Sequence, residues 1–385
     1  MILDGTGISV ELYTPVWRSD AGRLVMDNLG DVLTEFQKTE SVDGGYIDAR
    51  CTAVVHNVDM GVWLERLGFD FQVFNESQQL IWNGFINQIQ INSGTYSVVI
   101  GPLTNIANRV RVDYQAMSYN TNPPIGGGDA STAVVDDKDS QDQYGILEIH
   151  ISGGQGLAAD MTQLRDTYLA EYANPERGQQ INLDQPAPTS VQIEMLGYGA
   201  LLGRFYFSQS GTSTQNASAK VAAILAAHPT VIFNTDGIEA NTLQVPVFSL
   251  GDKSGLDELR DIVAKGDASD NRYRFGVYGG RTAVYQAIPT APDEITYYHI
   301  LSDSGQHIET AENAEVYPWN LQAGKWLNVL DFVIGVNGTV TDLRQDLRSM
   351  YIESVQYSAP GTVTITGGKV DNLAQKLAKL GLGGI

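Results

Sequence analysis

Residues 63–114 read WLERLGFDFQVFNESQQLIWNGFINQIQINSGTYSVVIGPLTNIANRVRVDY. Phe69, Phe71 and Val73 alternate with polar neighbours, and Ile81 and Phe85 resume the pattern after a turn at Asn75–Gln79. A period of two is that of a half-buried strand. A second run goes from Phe85 to Ile91, and Ser93-Gly94 turns the chain into Tyr96, Val98 and Ile100. Three or four antiparallel strands within about 50 residues make a meander, which must pack one face or close on itself. The stretch is read as the core of a small β-barrel or sandwich.

Outward from it, the alternation Ile8, Val10, Leu12 gives an early strand that stops near Pro15, and residues 47–58 give another. Residues 24–36 fit either a strand entering a turn or a short helix. Residues 146–151 and the alternating Val191, Ile193 and Met195 are further strands. Leu164, Tyr168, Leu169 and Tyr172 stand at helical spacing, closed by Pro175; so do Val221, Ile224 and Leu225, closed by Pro229. Leu256, Leu259, Ile262 and Val263 form a third stripe, with Ser254 as N-cap and Gly266 as stop. Residues 271–289 read as a hairpin about a two-residue Gly279-Gly280 turn. Residues 295–370 return to β, including a hairpin of 351–357 with 363–365, and 372–382 fit a terminal helix or tail. The fold class expected is mainly β with an α+β insert, and the two prolines in 184–189 read as a linker.

Bulk composition narrows the function. A chain of 385 residues supports roughly two to four domains, and 40 glycines with 18 tyrosines suit a turn-rich β protein. The formal charge of −21, from 24 basic and 45 acidic residues, opposes tight binding to a nucleic-acid backbone. It suits a wall past which DNA slides, or simply solubility. The single cysteine, Cys51, is expected to be a small buried hydrophobe. No secretory leader and no membrane span are expected from the apolar runs.

Chemistry is sparse. His56, His150, His228, His299 and His307 lack metal-ligand spacing and are read as surface or interface residues. Asp136, Asp137, Asp139 and Asp142 lack the calcium-loop pattern, and Gly126-Gly127-Gly128 is followed by no lysine of a phosphate loop, so 123–128 are read as a flexible loop that runs on into a solvated or interface loop to 142. Asp166 and Glu171, five apart on a helix, share no face. No catalytic, cofactor-binding or metal-ligating residues are expected, and no enzyme is expected. Trp17, Trp63, Trp82, Trp319 and Trp326 could stack on sugar rings, but packing is the expected role. Unprotected strand edges then leave assembly as the main option.

Several short patterns resemble, in order, the tail hub (baseplate) proteins of tailed bacteriophages. They are Trp82-Asn83-Gly84-Phe85-Ile86, then Tyr96 and Gly101-Pro102-Leu103, then 108–114; next 139–148, the helix 164–172 with Pro175, 191–202, 256–264 and 272–289. The resemblance implies a homotrimer in which each chain supplies two tube-like β domains, so that three chains form a pseudo-sixfold ring with a DNA channel. Tube domain one would be 1–115, and tube domain two 116–185 with 335–370. A middle α+β module would be 190–330 and a C-terminal helix or tail 371–385. Implied partners are the tail tube or distal tail protein, a tip, spike or fibre protein, and the tape measure protein, in the virion tail tip. A hexameric distal tail protein and a receptor- or carbohydrate-binding tail protein are the alternatives.

Overall fold

The computed structural model describes residues 8–26, 33–53, 60–75, 77–118, 125–181, 183, 187–289, 295–301, 307–312, 322–334, 340–342, 349–358 and 362–368. The first strands are β1 (Ser9–Tyr13), β2 (Leu24–Met26), β3 (Leu33–Ser41) and β4 (Asp43–Ala53). After the short helix α1 (Met60–Trp63) come β5 (Asp70–Phe74), β6 (Leu80–Gly94), β7 (Tyr96–Ile100), β8 (Arg109–Ser118), β9 (Ile125–Ser131) and β10 (Val135–Asp136). Helix α2 (Lys138–Tyr144), β11 (Glu148–Gly156), α3 (Ala158–Tyr172), β12 (Arg177–Ile181) and β13 (Ala187–Gly197) follow. The middle segment holds β14 (Tyr206–Gln209), β15 (Thr214–Asn216), α4 (Ala217–Ala226), β16 (Asn234–Ile238), β17 (Gln244–Pro246), β18 (Ser249–Ser254), α5 (Gly255–Lys265), β19 (Tyr273–Tyr278) and β20 (Thr282–Ala287). The last strands are β21 (Ile295–Leu301), β22 (His307–Glu312), β23 (Trp326–Ile334), β24 (Val340–Asp342), β25 (Ser349–Ser358) and β26 (Thr362–Gly368).

One antiparallel path runs through the molecule in the order β12-β7-β6-β13-β4-β3-β25-β26. The expectation of two separate barrel or sandwich domains is thereby corrected: both halves lie in a single continuous sheet. β13 carries the join, because it pairs with β6 along one edge and with β4 along the other. Val191, Ile193 and Met195 are all buried, so the alternation read in the sequence faces the core on both sides of the join.

The long strands branch in a regular way. β6 gives its first residues to β5 and its last to β7 on the same edge, while β13 covers the other edge. β25 gives its first residues to β23 and its last to β3, while β26 covers the other edge. β6 and β25 stand four strands apart, so they run in the same direction. Shifting the path by four strands carries β12, β7, β6 and β13 onto β4, β3, β25 and β26, and carries the branch β5 onto the branch β23. The sheet is two four-stranded units of like plan. Each is assembled from segments far apart in sequence.

Other expectations resolve as follows. β5, β6 and β7 form the meander, but β8 leaves it: Pro102 and the turn Leu103–Asn105 redirect the chain, and β8 pairs in parallel with β11 and antiparallel with β9 and β10. The segment read as a flexible or solvated loop is folded over its described residues, 125–142. The three glycines lie in β9, and Asp137 caps α2 by accepting the Ser140 N–H at 3.0 Å. Of residues 24–36, 24–26 and 33–36 are strand, and 27–32 lie outside the described residues. In the 184–189 linker, β13 has already begun at Ala187. The hairpin turn has three residues, Gly279–Arg281, with Gly280 at φ 66°, since the strands pair as Tyr278 with Thr282. Ser254 caps α5 as expected, its hydroxyl accepting the Asp257 N–H at 3.1 Å, and α4 buries Val221, Ile224 and Leu225. Residues 371–385, read as helix or tail, lie outside the described residues.

Candidate assembly surface and channel face

The two faces of the eight-stranded path differ sharply. On one face, register places Ile100, Ile89, Ile193, Cys51 and Phe36 in a row across five strands, and all are buried. Burial accordingly pushes the Cys51 thiol far above its ordinary range, so it stays protonated and apolar. On the other face the rows are hydrophilic. One reads Gln180, Ser97, Asn92, Ser190; the next Gly178, Val99, Gln90, Gln192, Thr52, Glu35. A third reads Gln88, Glu194, Arg50, Gln37, Ser358, and a fourth Leu196, Asp48, Thr39, Gln356, Thr364, with Leu196 its one apolar member. The groups are mostly amides and hydroxyls bonded to one another. Gln90 donates to Asn92 at 3.0 Å and to Ser97 at 3.2 Å, and Arg50 donates to Gln37 at 2.6 Å. Among these rows the charges are Glu35, Asp48 and Glu194 against Arg50, an acidic excess. A shallow concavity of about 400 Å³ over Thr39, Asp48, Arg50, Glu194 and Gln356 marks the middle of this face.

The path ends in two strands whose outer edges have no partner among the described residues. β12 pairs only with β7, and β26 only with β25. Every residue of β12 is exposed, including Ile181 at 67%. Helix α3, which leads into it, buries Met161 alone, above Gly153 and Gly156; a Cβ on either glycine would come within 2.4 Å of the methionine.

A buried polar relay ties the units together. On β3, the Lys38 ammonium donates to Ile81 O at 3.0 Å and lies 3.6 Å from Glu40. Glu40 accepts the Ala323 N–H at 2.7 Å, and the Ala323 carbonyl accepts from Arg274 at 2.8 Å. Lys38 and Glu40 are almost completely buried. Desolvation pulls the Lys38 ammonium below the ordinary lysine range, and Glu40 opposes that shift. The relay links the start of β6, β3, the 323–325 turn and β19. A Lys-x-Glu on a strand was its one sequence signal, since both side chains had to share a face.

The residues singled out from sequence do not gather into a reaction centre. Of the histidines read as surface or interface residues, two have side chains buried within the chain itself. His228 is buried just past the end of α4, its Nδ1 accepting the Thr230 and Val231 N–H groups of the following turn at 3.3 and 3.0 Å. His150 stacks on Tyr206 with ring centroids 3.5 Å apart and contacts Glu148 at 3.0 Å. Trp63 and Trp82 are buried; Trp17 donates to Gln143 O at 3.1 Å. Asp136 pairs with Arg109 at 2.7 Å and Lys138 at 3.0 Å. Among the described residues no group of three or more His, Cys, Asp or Glu could hold a metal ion. No helix among them is long and apolar enough to cross a membrane. His56 and Trp319 lie outside the described residues.

No family model and no curated protein matches the chain. Among solved structures, the chain is similar to the tail protein from Neisseria meningitidis MC58, with TM-score 0.44 and 7% identity over 94% of this chain and 96% of that one. It is similar to the 43 kDa tail protein of prophage MuSo2 from Shewanella oneidensis, with TM-score 0.41 and 7% identity over 96% and 98%. It is also similar to the E. coli c3393 protein, a type VI secretion component described as resembling T4 tail proteins gp27 and gp5, with TM-score 0.39 and 12% identity over 88% and 74%.

Proposed function

We propose that this chain is the hub subunit of a phage tail, three copies of which close into a ring of six like units around a DNA channel. The observation that carries the reading is the division of one eight-stranded path through the large sheet into two four-stranded units with matching branches. A trimer of such chains presents six near-equivalent positions, which is what a threefold part needs to meet a sixfold tube. The ordered sequence patterns that resemble tail hub proteins support the same reading.

The free edges fit it. An even number of antiparallel strands makes β12 and β26 run in opposite directions. Rotation about the ring axis preserves strand direction, so β26 of one copy meets β12 of the next antiparallel. The contact is head-to-tail and closes a ring, which removes both exposed edges. The amide- and hydroxyl-rich face is then the channel wall. It offers DNA phosphates few cations and an excess of carboxylates, so the backbone slides without being held. The tube or distal tail protein above, the tip or fibre below and the tape measure protein are the partners of this role. Electron microscopy of the purified chain tests it: a threefold ring with a central hole is expected, and a ring whose lumen is strongly positive would contradict the channel.

A further inference from the structure

We infer that a pocket between β1, β5 and the β19–β20 turn is a saccharide-binding site, taking one neutral pyranose-sized ring. The inference does not depend on the ring of hub subunits.

The pocket has a volume of about 450 Å³, within the usual size of small-ligand sites. At its base is Asp70, only 4% exposed. Its carboxylate is held in place by Asn83 at 2.7 Å, Tyr198 at 2.8 Å and Gln72 at 2.7 Å. Arg281 lines the pocket beside it, close enough for the guanidinium and carboxylate to act on each other. The Arg281 Nε is buried without a hydrogen-bond partner. Arg281 also adopts φ 60°, a left-handed conformation uncommon for a non-glycine residue. A side chain held on strained backbone beside a buried carboxylate is the arrangement of a ligand clamp.

The chemistry selects the ligand class. Asp70 and Arg281 offset each other, so neither a metal ion nor a phosphate finds a net opposite charge. The Tyr13 hydroxyl gives its proton to Glu11 and leaves its oxygen to accept, while the Gln72 amide, one N–H of which goes to Asp70, still offers a donor and an acceptor. A ligand matching such a set must itself donate and accept at several points, as adjacent hydroxyls do. Val16 and Ile232, the latter 87% exposed at the mouth, give the pocket an apolar side for the C–H face of a ring.

Calorimetric titration of the full chain with glucose, galactose, mannose, rhamnose and N-acetylglucosamine tests the site. At least one sugar should bind with a Kd on the order of millimolar. Ala21→Trp, at an exposed mouth position, plugs the pocket without touching the core, and should weaken that binding by about tenfold or more, as should Arg281→Met. Absence of binding by every sugar up to about 50 mM overturns the proposal. So does binding that Ala21→Trp leaves unchanged, since the sugar would then sit elsewhere.

Discussion

The Glu40 carboxylate accepts the backbone N–H of Ala323 across 283 residues of chain, at 2.7 Å and out of reach of water. That bond docks the 323–325 turn against β3, and Arg274 holds the same residue by its carbonyl. Removing one member of a buried ion pair strands the other without a partner. Glu40→Ala is therefore expected to cost about 3–5 kcal/mol. The double variant Lys38→Met, Glu40→Gln removes both charges and keeps an acceptor for Ala323, so it should recover most of that loss. Denaturant midpoints of the two variants check this; equal loss in both would mean that the charge pair is not the source.

Gly84 and Gly197 face each other across β6 and β13. A Cβ on Gly197 would lie 1.8 Å from Tyr46 O, and one on Gly84 2.2 Å from Leu196 O. Both obstacles are backbone, so nothing flexible can yield. Gly197→Ala should cost more than about 3 kcal/mol, beyond an ordinary substitution, and loosen the junction between the two units. Thermal unfolding measures it. A variant as stable as the parent would show that β13 does not approach β4 so closely.

His228 is neutral in the folded chain, and burial pushes its pKa down from 6.5 to about 4. The unfolded chain binds a proton on this ring below 6.5, while the folded chain resists until about 4. Stability from this residue is thus complete above pH 6.5 and falls as pH drops toward 4. The loss approaches about 3 kcal/mol at the acid end. His228→Asn keeps an acceptor for the Thr230 and Val231 N–H groups and has no proton to bind. Its stability should change less than the parent's between pH 6.5 and 4; parallel curves would reject the linkage.

The strand edges predict a separation of folding from assembly. Of two consecutive N–H groups on β12, one faces β7 and the other the open edge. Gln179→Pro with Gln180→Pro removes both, at the cost of one pairing in a peripheral strand. The expected outcome is a folded single chain that no longer forms rings, seen by light scattering with circular dichroism. Rings that persist would place the contact between copies elsewhere.

What the sequence disclosed follows from where the physics is local. Alternation exposed β13, since Val191, Ile193 and Met195 are apolar and Gln192 and Glu194 are not. The same pattern in Gln88, Gln90 and Asn92 already held the hydrophilic face. Ser254 and Gly266 marked the ends of α5 because caps are local. The pairing of β3 with β25 was not legible: it joins Ser358 to Gln37, and no local preference encodes a partner so distant. Nor was α2, a short polar helix with no apolar stripe, though Asp137 was a usable N-cap signal. The start of α3 at Ala158 was missed because its first turn carries little that is buried.

Native mass spectrometry of the purified chain tests the central claim most directly. The account predicts a dominant species of three 41.8 kDa chains. A species of six would favour a ring with one unit per chain, as in a distal tail protein, and a single chain at all concentrations would contradict assembly through β12 and β26.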